Sequence, residues 1–431
     1  MAYETDKFAF GKLPSGWRCV PLGDLIKSTE YGSSAKSHYS GTIPVLRMGN
    51  LQEGKIDWGD LVYTSDENEI KRYRLRSGDV LFNRTNTVDL VGKAAIYKGS
   101  RPAIFAGYLI RIIHNETLVD SNYLNYVLNT YQAKKYSKAV LSVAVSQANI
   151  NAEKLKTYPI PLPPTLEEQA AIANALSDVD ALISELEKLI AKKQAVKTAT
   201  MQQLLTGKQR LPQFAKYSDG MLKGYKKSEL GEIPEDWDIG SVGDRSVSYS
   251  GGTPSTSNKS FYGGNISWIT SSDLNKSFIY EVEGRITEAG LQGSSAKLVD
   301  AGTFLIALYG ATAGVCAITK IKAAINQAVL AVASSLWSPE FLFYWFTNNK
   351  NKLIETYTQG GQPNLSGDIV RSIRMSIPPM REQKEIVSVL SDMDDELQAL
   401  EKRLKKTRQI KQGMMQELLT GKTRLVKPES K

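Results

Sequence analysis

An internal repeat constrains this chain more than any other feature of its sequence. Residues 168–211 recur at 382–425 with a constant offset of 214 and no gap, and 21 of the 44 positions are identical. The shared positions include Glu168-Gln169 with Glu382-Gln383, and Leu176-Ser177-Asp178 with Leu390-Ser391-Asp392. The strongest block is Leu204-Leu205-Thr206-Gly207-Lys208 with Leu418-Leu419-Thr420-Gly421-Lys422. The openings of a longer unit also match: Leu13-Pro14, Trp17 and Gly23-Asp24 correspond to Ile233-Pro234, Trp237 and Gly243-Asp244. Gln147 and Asn149 before Pro163-Pro164 correspond to Gln362 and Asn364 before Pro378-Pro379. Between these ends only loose matches survive, Tyr31-Gly32-Ser33-Ser34 with Tyr249-Ser250-Gly251-Gly252, and Ile43-Pro44-Val45-Leu46-Arg47 with Ile266-Ser267-Trp268-Ile269-Thr270. The chain is thus a body of about 150 residues and a tail of about 45, written twice. Neutral drift of loops is the alternative account, and it would not spare the tails so selectively.

Each tail reads as one long helix. Pro163-Pro164 and Pro378-Pro379 stop the preceding element, Thr165 is placed to cap the tail helix, and Glu167 and Glu168 suit its first turn. No Pro or Gly interrupts the first tail before Gly207; the second runs to Gly421 with one interruption, Gly413. Ile172, Leu176, Val179, Ile183, Leu186 and Ile190 alternate at four and three, and Ile386, Leu390, Met393, Leu397, Leu400 and Leu404 repeat that register. This is a heptad seam that slips at Lys193 and Thr407 and resumes around Val196 and Leu204, and around Ile410, Met414 and Leu418. A forty-residue helix is about 60 Å long. Acidic residues come early in each tail (Asp178, Asp180, Glu185, Glu187; Asp392, Asp394, Asp395, Glu396) and basic ones late (Lys192, Lys193, Lys197; Lys405, Lys406, Arg408, Lys411). An antiparallel pair sets acid against base, whereas a parallel pair sets like against like. In the other reading each helix packs only on its own body.

The bodies read as α+β. Short β-like runs at 42–48, 79–83 and 302–309 are bounded by Gly and Asn, and helix-like stretches at 122–138 and 339–357 answer one another. The first body concentrates Lys71, Arg72, Arg74, Arg76, Arg84, Lys93, Lys98 and Arg101 near expected loops, with Tyr63, Tyr73, Phe82 and Tyr97 among them. Such cations can hold phosphates or read guanine edges; for any single one, a solvated basic face is the simpler reading. Sharper candidates for nucleic-acid contact lie in small-residue turns: Tyr31, Ser33, Ser34 and Lys36, and Ser250, Thr253 and Ser255. Arg47, Arg84, Asn86 and Arg101 in the first body, and Thr270, Ser271, Tyr309 and Thr312 in the second, complete the set. Gln147, Asn149, Gln362 and Asn364 recur in both bodies, which suits a shared structural turn better than base reading.

Composition narrows the function classes. The 431 residues carry 54 Lys and Arg against 45 Asp and Glu, a net charge of +9 that fits a polyanionic partner without demanding one. Cys19, Cys316, His38 and His114 are scattered, so neither a disulfide framework nor a metal site is expected. The opening MAYETDKFAF has no basic and apolar leader pattern, and no apolar run reaches a membrane span, so a soluble cytoplasmic protein is expected. Gly421-Lys422-Thr423 has Gln416 where a phosphate-binding loop needs glycine. The Glu-x-Lys triplets at Glu53 and Glu382 stand without nuclease context, and two histidines make a Ser-His-Asp arrangement improbable. No catalytic centre is expected.

The paired openings, the Pro-Pro entry to each tail, Glu168-Gln169 and Glu382-Gln383, the Leu-Leu-Thr-Gly-Lys ends and the body–tail–body–tail order resemble the type I restriction-modification specificity subunits across essentially the whole chain. The fold implied by that resemblance is α+β: two α/β target recognition domains separated by two long helices in an antiparallel coiled coil, with an internal pseudo-two-fold repeat. The expected divisions are 1–164 and 211–379 for the recognition domains, with a linker near 211–230, and 165–210 and 380–431 for the helical spacers. The resemblance implies that each domain reads one half of a split, asymmetric sequence in double-stranded DNA. It implies docking of two methylation subunits, which bring S-adenosylmethionine, and of restriction subunits, which use ATP and Mg. No cofactor is expected on this chain itself. A specificity protein serving a methyltransferase alone, and a coiled-coil scaffold that binds no DNA, are the other readings.

Overall fold

The structure is a computed structural model, described over residues 10–144, 147–357 and 364–426. It divides into two compact units, residues 1–187 with 402–431, and residues 188–401. The same plan builds both.

In the first unit the strand Arg18–Pro21 pairs antiparallel with Pro159–Leu162, the last strand before the tail. Ile26–Tyr31, Leu109–His114, Val80–Asn83 and Ala94–Ile96 then form a four-stranded sheet in that spatial order. A smaller sheet sets Ile43–Leu46 between Ile104–Phe105, its parallel neighbour, and Val62–Thr64. The second unit repeats each layer. Asp238–Ser241 pairs with Arg374–Ile377. Ser246–Ser250, Val329–Ser334, Phe304–Ala307 and Cys316–Thr319 keep the same order, extended by Phe278–Ile279. Tyr262–Ile269 lies parallel to Ala323–Ile325. The inner strands Val80–Asn83 and Phe304–Ala307 are buried along their whole length, as strands covered on both faces should be.

Helices cover the main sheets. The expected helix at 122–138 is two, Ser121–Leu128 and Tyr131–Val140. The break has a local cause: the Thr130 side chain accepts from the Ala133 amide and starts a second helix. In the second body the counterpart is continuous, Pro339–Tyr357. The triplet at Glu53 forms a hairpin turn, with Glu53 and Gly54 at φ 49° and 83° between Leu51–Gln52 and Lys55–Ile56.

The tail helices are Leu166–Leu204 and Met380–Leu418, 39 residues each with bounds 214 apart. Thr165 Oγ1 accepts from the Glu168 amide at 3.2 Å. Gly207 and Gly421, at φ 72° and 70°, terminate the two helices in the left-handed region that favours glycine. Gly413 does not interrupt the second helix. Within each unit the two helices run antiparallel. Asp180 meets Lys411 at 2.8 Å and Glu187 meets Arg408 at 2.6 Å in the first unit. Asp394 meets Lys197, and Glu396 meets Lys193 at 2.8 Å, in the second. The early-acid, late-base gradient is thus spent on the opposite helix.

Of the heptad residues, Ile172, Leu176, Ile183, Leu186, Ile386, Leu390 and Leu397 are buried. Val179, Ile190, Met393, Leu400 and Leu404 are half-buried. The seam does not resume at Val196 and Ile410, which are 44% and 49% exposed. Beyond the slip the inward face is polar: Lys197 and Lys411 reach Asp394 and Asp180, whose carboxylates also accept from Tyr344 and Tyr126. Burial and these carboxylates raise both phenols well above their ordinary range. Met201, Leu204, Leu205, Leu418 and Leu419 then carry the apolar contact into the cores of the bodies.

Candidate functional site

Each tail is locked to a body by a duplicated triad. The opening and closing strands of a body pair, which brings Trp17 beside the start of the first tail helix and Trp237 beside the start of the second. Trp17 Nε1 donates to Glu168 Oε1 at 3.4 Å, and Arg424 donates to both Glu168 oxygens at 2.8 Å. Trp237 Nε1 donates to Glu382 Oε2 at 2.9 Å, and Arg210 donates to Glu382 at 2.9 and 2.6 Å and to Asp236 at 2.8 Å. Glu168 and Glu382 are each 1% exposed, and a buried carboxylate needs such charge-assisted partners. Burial opposes the charge on Arg210, but its hydrogen bonds to Glu382 and Asp236 more than offset this and raise its pKa. The neighbouring glutamines are equally occupied. Gln169 accepts from the Asp120 amide and donates to the Leu118 carbonyl; Gln383 accepts from Ser338 and donates to Leu336 and Pro378. The repeated Trp, Glu-Gln and Arg positions are therefore structural, and only their common offset of 214 in Glu, Gln and Arg signals it in the sequence.

The divergent side chains gather elsewhere, around one backbone hub per body. In the first, Ser33 N donates to Phe105 O (2.8 Å), Ala106 N to Leu46 O (2.9 Å), Arg84 N to Tyr108 O (3.1 Å) and Ile150 N to Arg84 O (2.8 Å). In the second, Gly252 N donates to Ile325 O (3.1 Å), Asn326 N to Ile269 O (3.1 Å), Leu308 N to Ala328 O (2.8 Å) and Leu365 N to Leu308 O (2.8 Å). The four bonds match one for one. They set Arg47 against Thr270, as the sequence suggests, but they set Gly32 against Gly251 and Tyr31 against Ser250, one residue from the sequence match. The shift follows from sterics. A Cβ at Gly32 would sit 2.4 Å from the Phe105 and Ala106 carbonyls, and one at Gly251 would sit 1.8 Å from the Ile325 carbonyl. These glycines serve a strand crossing inside the body.

At the first hub a cleft of about 550 Å³ is lined by Ser33, Ser34, Arg47, Arg84, Gly107 and Asn149 among others. Arg84 lies 4.7 Å above the Tyr31 ring, and the Tyr31 hydroxyl accepts from the Ala152 amide at 3.0 Å. Ser33 is buried, with its hydroxyl on Glu69. Arg47 holds the Asp60 carbonyl at 2.9 Å and its carboxylate at 3.1 Å. Arg47 also lines an adjoining cleft with Asn86, whose side chain accepts from the Thr87 amide. Ser34 and Lys36 are exposed. Arg101 is not among the residues lining either cleft; its guanidinium lies 5.7 Å from the Trp58 ring. Phe82 and Tyr97, read among the basic residues, are core.

The second hub carries a different set. Thr253 donates to Gln327 Oε1 at 2.6 Å, and Thr270 donates to Asp273 at 2.8 Å, next to half-buried Ser271. Tyr309, 42% exposed, bridges to Asn364, and Thr312 donates to the Tyr309 carbonyl. Ser250 is half-buried, and Ser255 bonds Ser257. Asn149 and Asn364 occupy equivalent places: Asn149 joins Arg84 to Thr85, which suits the shared turn expected of it. Gln362 lies outside the described residues. Among the described residues no cluster of His, Cys, Asp or Glu could hold a metal, and no helix is long and apolar enough to cross a membrane.

Comparison with known proteins agrees with this duplicated plan. The family model for the type I restriction modification DNA specificity domain matches twice, over residues 14–198 and 234–412. The chain is 30% identical over 431 residues to a provisionally named type I restriction enzyme MjaX specificity subunit of Methanocaldococcus jannaschii, covering 97% of this chain and 96% of that one. It is 24% identical over 393 residues to the type I restriction enzyme EcoR124I/EcoR124II specificity subunit of Escherichia coli, covering 87% and 86%. In fold it is similar to the crystal structure of the S subunit of a type I restriction-modification system from M. genitalium, with a TM-score of 0.59 at 14% identity over 95% and 96% of the two chains.

Proposed function

Since the chain belongs to the type I restriction-modification DNA specificity family, we propose that each body reads one half of a split, asymmetric sequence in double-stranded DNA. The chain is the DNA sequence-recognition subunit of such a system and contributes recognition rather than catalysis. The observation that carries the two-part reading is the pair of hubs: one backbone frame, held by four matching hydrogen bonds, presents unlike side chains in the two bodies. A reader that uses one scaffold for two base sequences needs that combination, because backbone fixes position while side chains carry specificity. The hub residues Ser34, Arg84 and Asn86, and Thr253, Thr270 and Tyr309, are its contact set, with Lys36, Ser255 and Arg101 as further candidate contacts.

Two methylation subunits dock on the repeated elements, because a duplicated surface offers the same site twice. Those subunits supply S-adenosylmethionine, and restriction subunits supply the ATP- and Mg-dependent steps, all in the cytoplasm. The test is methylome sequencing of a host carrying the methylation subunit, with and without this chain. The expected result is a methylated motif in two unlike parts with an unread gap, present only with the chain. Methylation that ignores the chain, with the methylation subunit folded and bound, overturns the proposal and returns the scaffold reading.

A further inference from the structure

The two hubs differ most sharply at one backbone position. Arg84 and Leu308 occupy it in the two bodies: each amide donates to the carbonyl of the opposite turn, at Tyr108 and Ala328, and each carbonyl accepts from the strand end, at Ile150 and Leu365. Sheet register fixes the same equivalence, since Phe82 pairs with Ile110 and Ile306 with Leu330, two residues earlier. The neighbouring position changes with it. Tyr31, which underlies Arg84, is replaced by Ser250, as the pairings of Tyr31 with Ile110 and Ser250 with Leu330 show. The cation and its stacking platform are thus present together in the first body and absent together in the second.

Arg84 is also poised for a ligand. Its contacts to the Gly107 carbonyl and Asn149 Oδ1 are 3.4 and 3.5 Å, at the outer limit of a hydrogen bond. Its Nε is buried and meets no acceptor. The guanidinium plane is held by a tyrosine whose own hydroxyl is fixed to the Ala152 amide, so little freedom remains to be lost on binding. A guanidinium so held offers paired donors to paired acceptors, as found on the major-groove edge of guanine or on a phosphate. The divergence decides between them. A phosphate contact carries no sequence information and has no reason to become leucine in the copy, whereas a base contact must change when the half-site changes.

We infer that Arg84, stacked on Tyr31, reads a guanine in the half-site of the first body, and that the second body, with Leu308 and Ser250 in the same frame, reads no guanine through this position. This rests on the DNA-reading proposal above and assigns one of its contacts.

The test uses the full chain with its methylation subunit and compares wild type, R84A and R84K by methylome sequencing and by binding to duplexes substituted base by base. Wild type must first give a two-part motif; if it gives none, the DNA-reading proposal itself has failed. The expected result is that R84A loses discrimination at a single G·C pair of one half, by roughly 5- to 150-fold, with the other half read as before. R84K, which keeps the charge but not the fork, relaxes the same position. The unaltered half reports that each variant is folded and assembled. A uniform loss over all sequences in R84A, with the salt slope reduced by about one and restored in R84K, identifies a phosphate contact and overturns the assignment. An unchanged motif in both variants overturns it too.

Discussion

Single residues in this molecule fall into two groups that the repeat separates. Trp17, Glu168, Gln169 and Arg424, with Trp237, Glu382, Gln383 and Arg210, are kept alike because each satisfies another's buried polar atoms. Glu382→Ala leaves Arg210, whose side chain is 4% exposed, with Asp236 as its remaining carboxylate and takes the acceptor from the buried Trp237 indole, and is expected to cost about 2–3 kcal/mol of stability. Glu168→Ala should cost less, because the Arg424 side chain is 20% exposed and water replaces part of what is lost. Denaturant unfolding of the two variants measures the difference, and equal losses would show that burial of the arginine does not set the cost. None of this pairing is readable from residue type alone. A lone Glu in a helix first turn is ordinarily a dipole partner, and only the fold shows Glu168 turned inward. Asn149 is the converse case, since its recurrence as Asn364 already marks it as part of the frame.

At the level of elements, the tails were the most legible part of the sequence. Periodicity, Pro-Pro entries and terminal glycines are local signals, and the helices begin and end where those signals stand. The seam beyond the slip was not legible. Val196 and Ile410 continue an apolar pattern, but Lys197 and Lys411 bury their stems and reach Asp394 and Asp180, which a hydrophobicity count scores as polar and outward. The match of Tyr31 to Tyr249 fails for a related reason: it looks better by residue type, whereas a Cβ clash fixes Gly32 against Gly251. The glycines give a paired test. Gly413→Ala, mid-helix with open space around it, should stabilise the protein by roughly 0.5–1 kcal/mol. Gly207→Ala, at φ 72° with Pro234 Cδ 2.5 Å from the new methyl, should destabilise it by more than about 1 kcal/mol. Thermal unfolding reads both, and a gain at Gly207 would contradict the cap and cradle described for it.

Across the whole molecule, one architecture is used twice with a constant part and a replaceable part. The constant part is the helix pair with its triads; the replaceable part is the set of side chains on each hub. The sequence conveys that division through the contrast between repeated tails and divergent bodies, but not which loops converge, because the four hub bonds join residues as distant as Ser33 and Phe105. The most direct test of the division is to exchange the second body, residues 238–377, for that of a relative, keeping Trp237, Glu382 and Arg210, and to sequence the methylated motif. The half-site read by the first body should be retained and the other replaced by the donor's. A motif altered in both halves, or one left unchanged, would contradict that division.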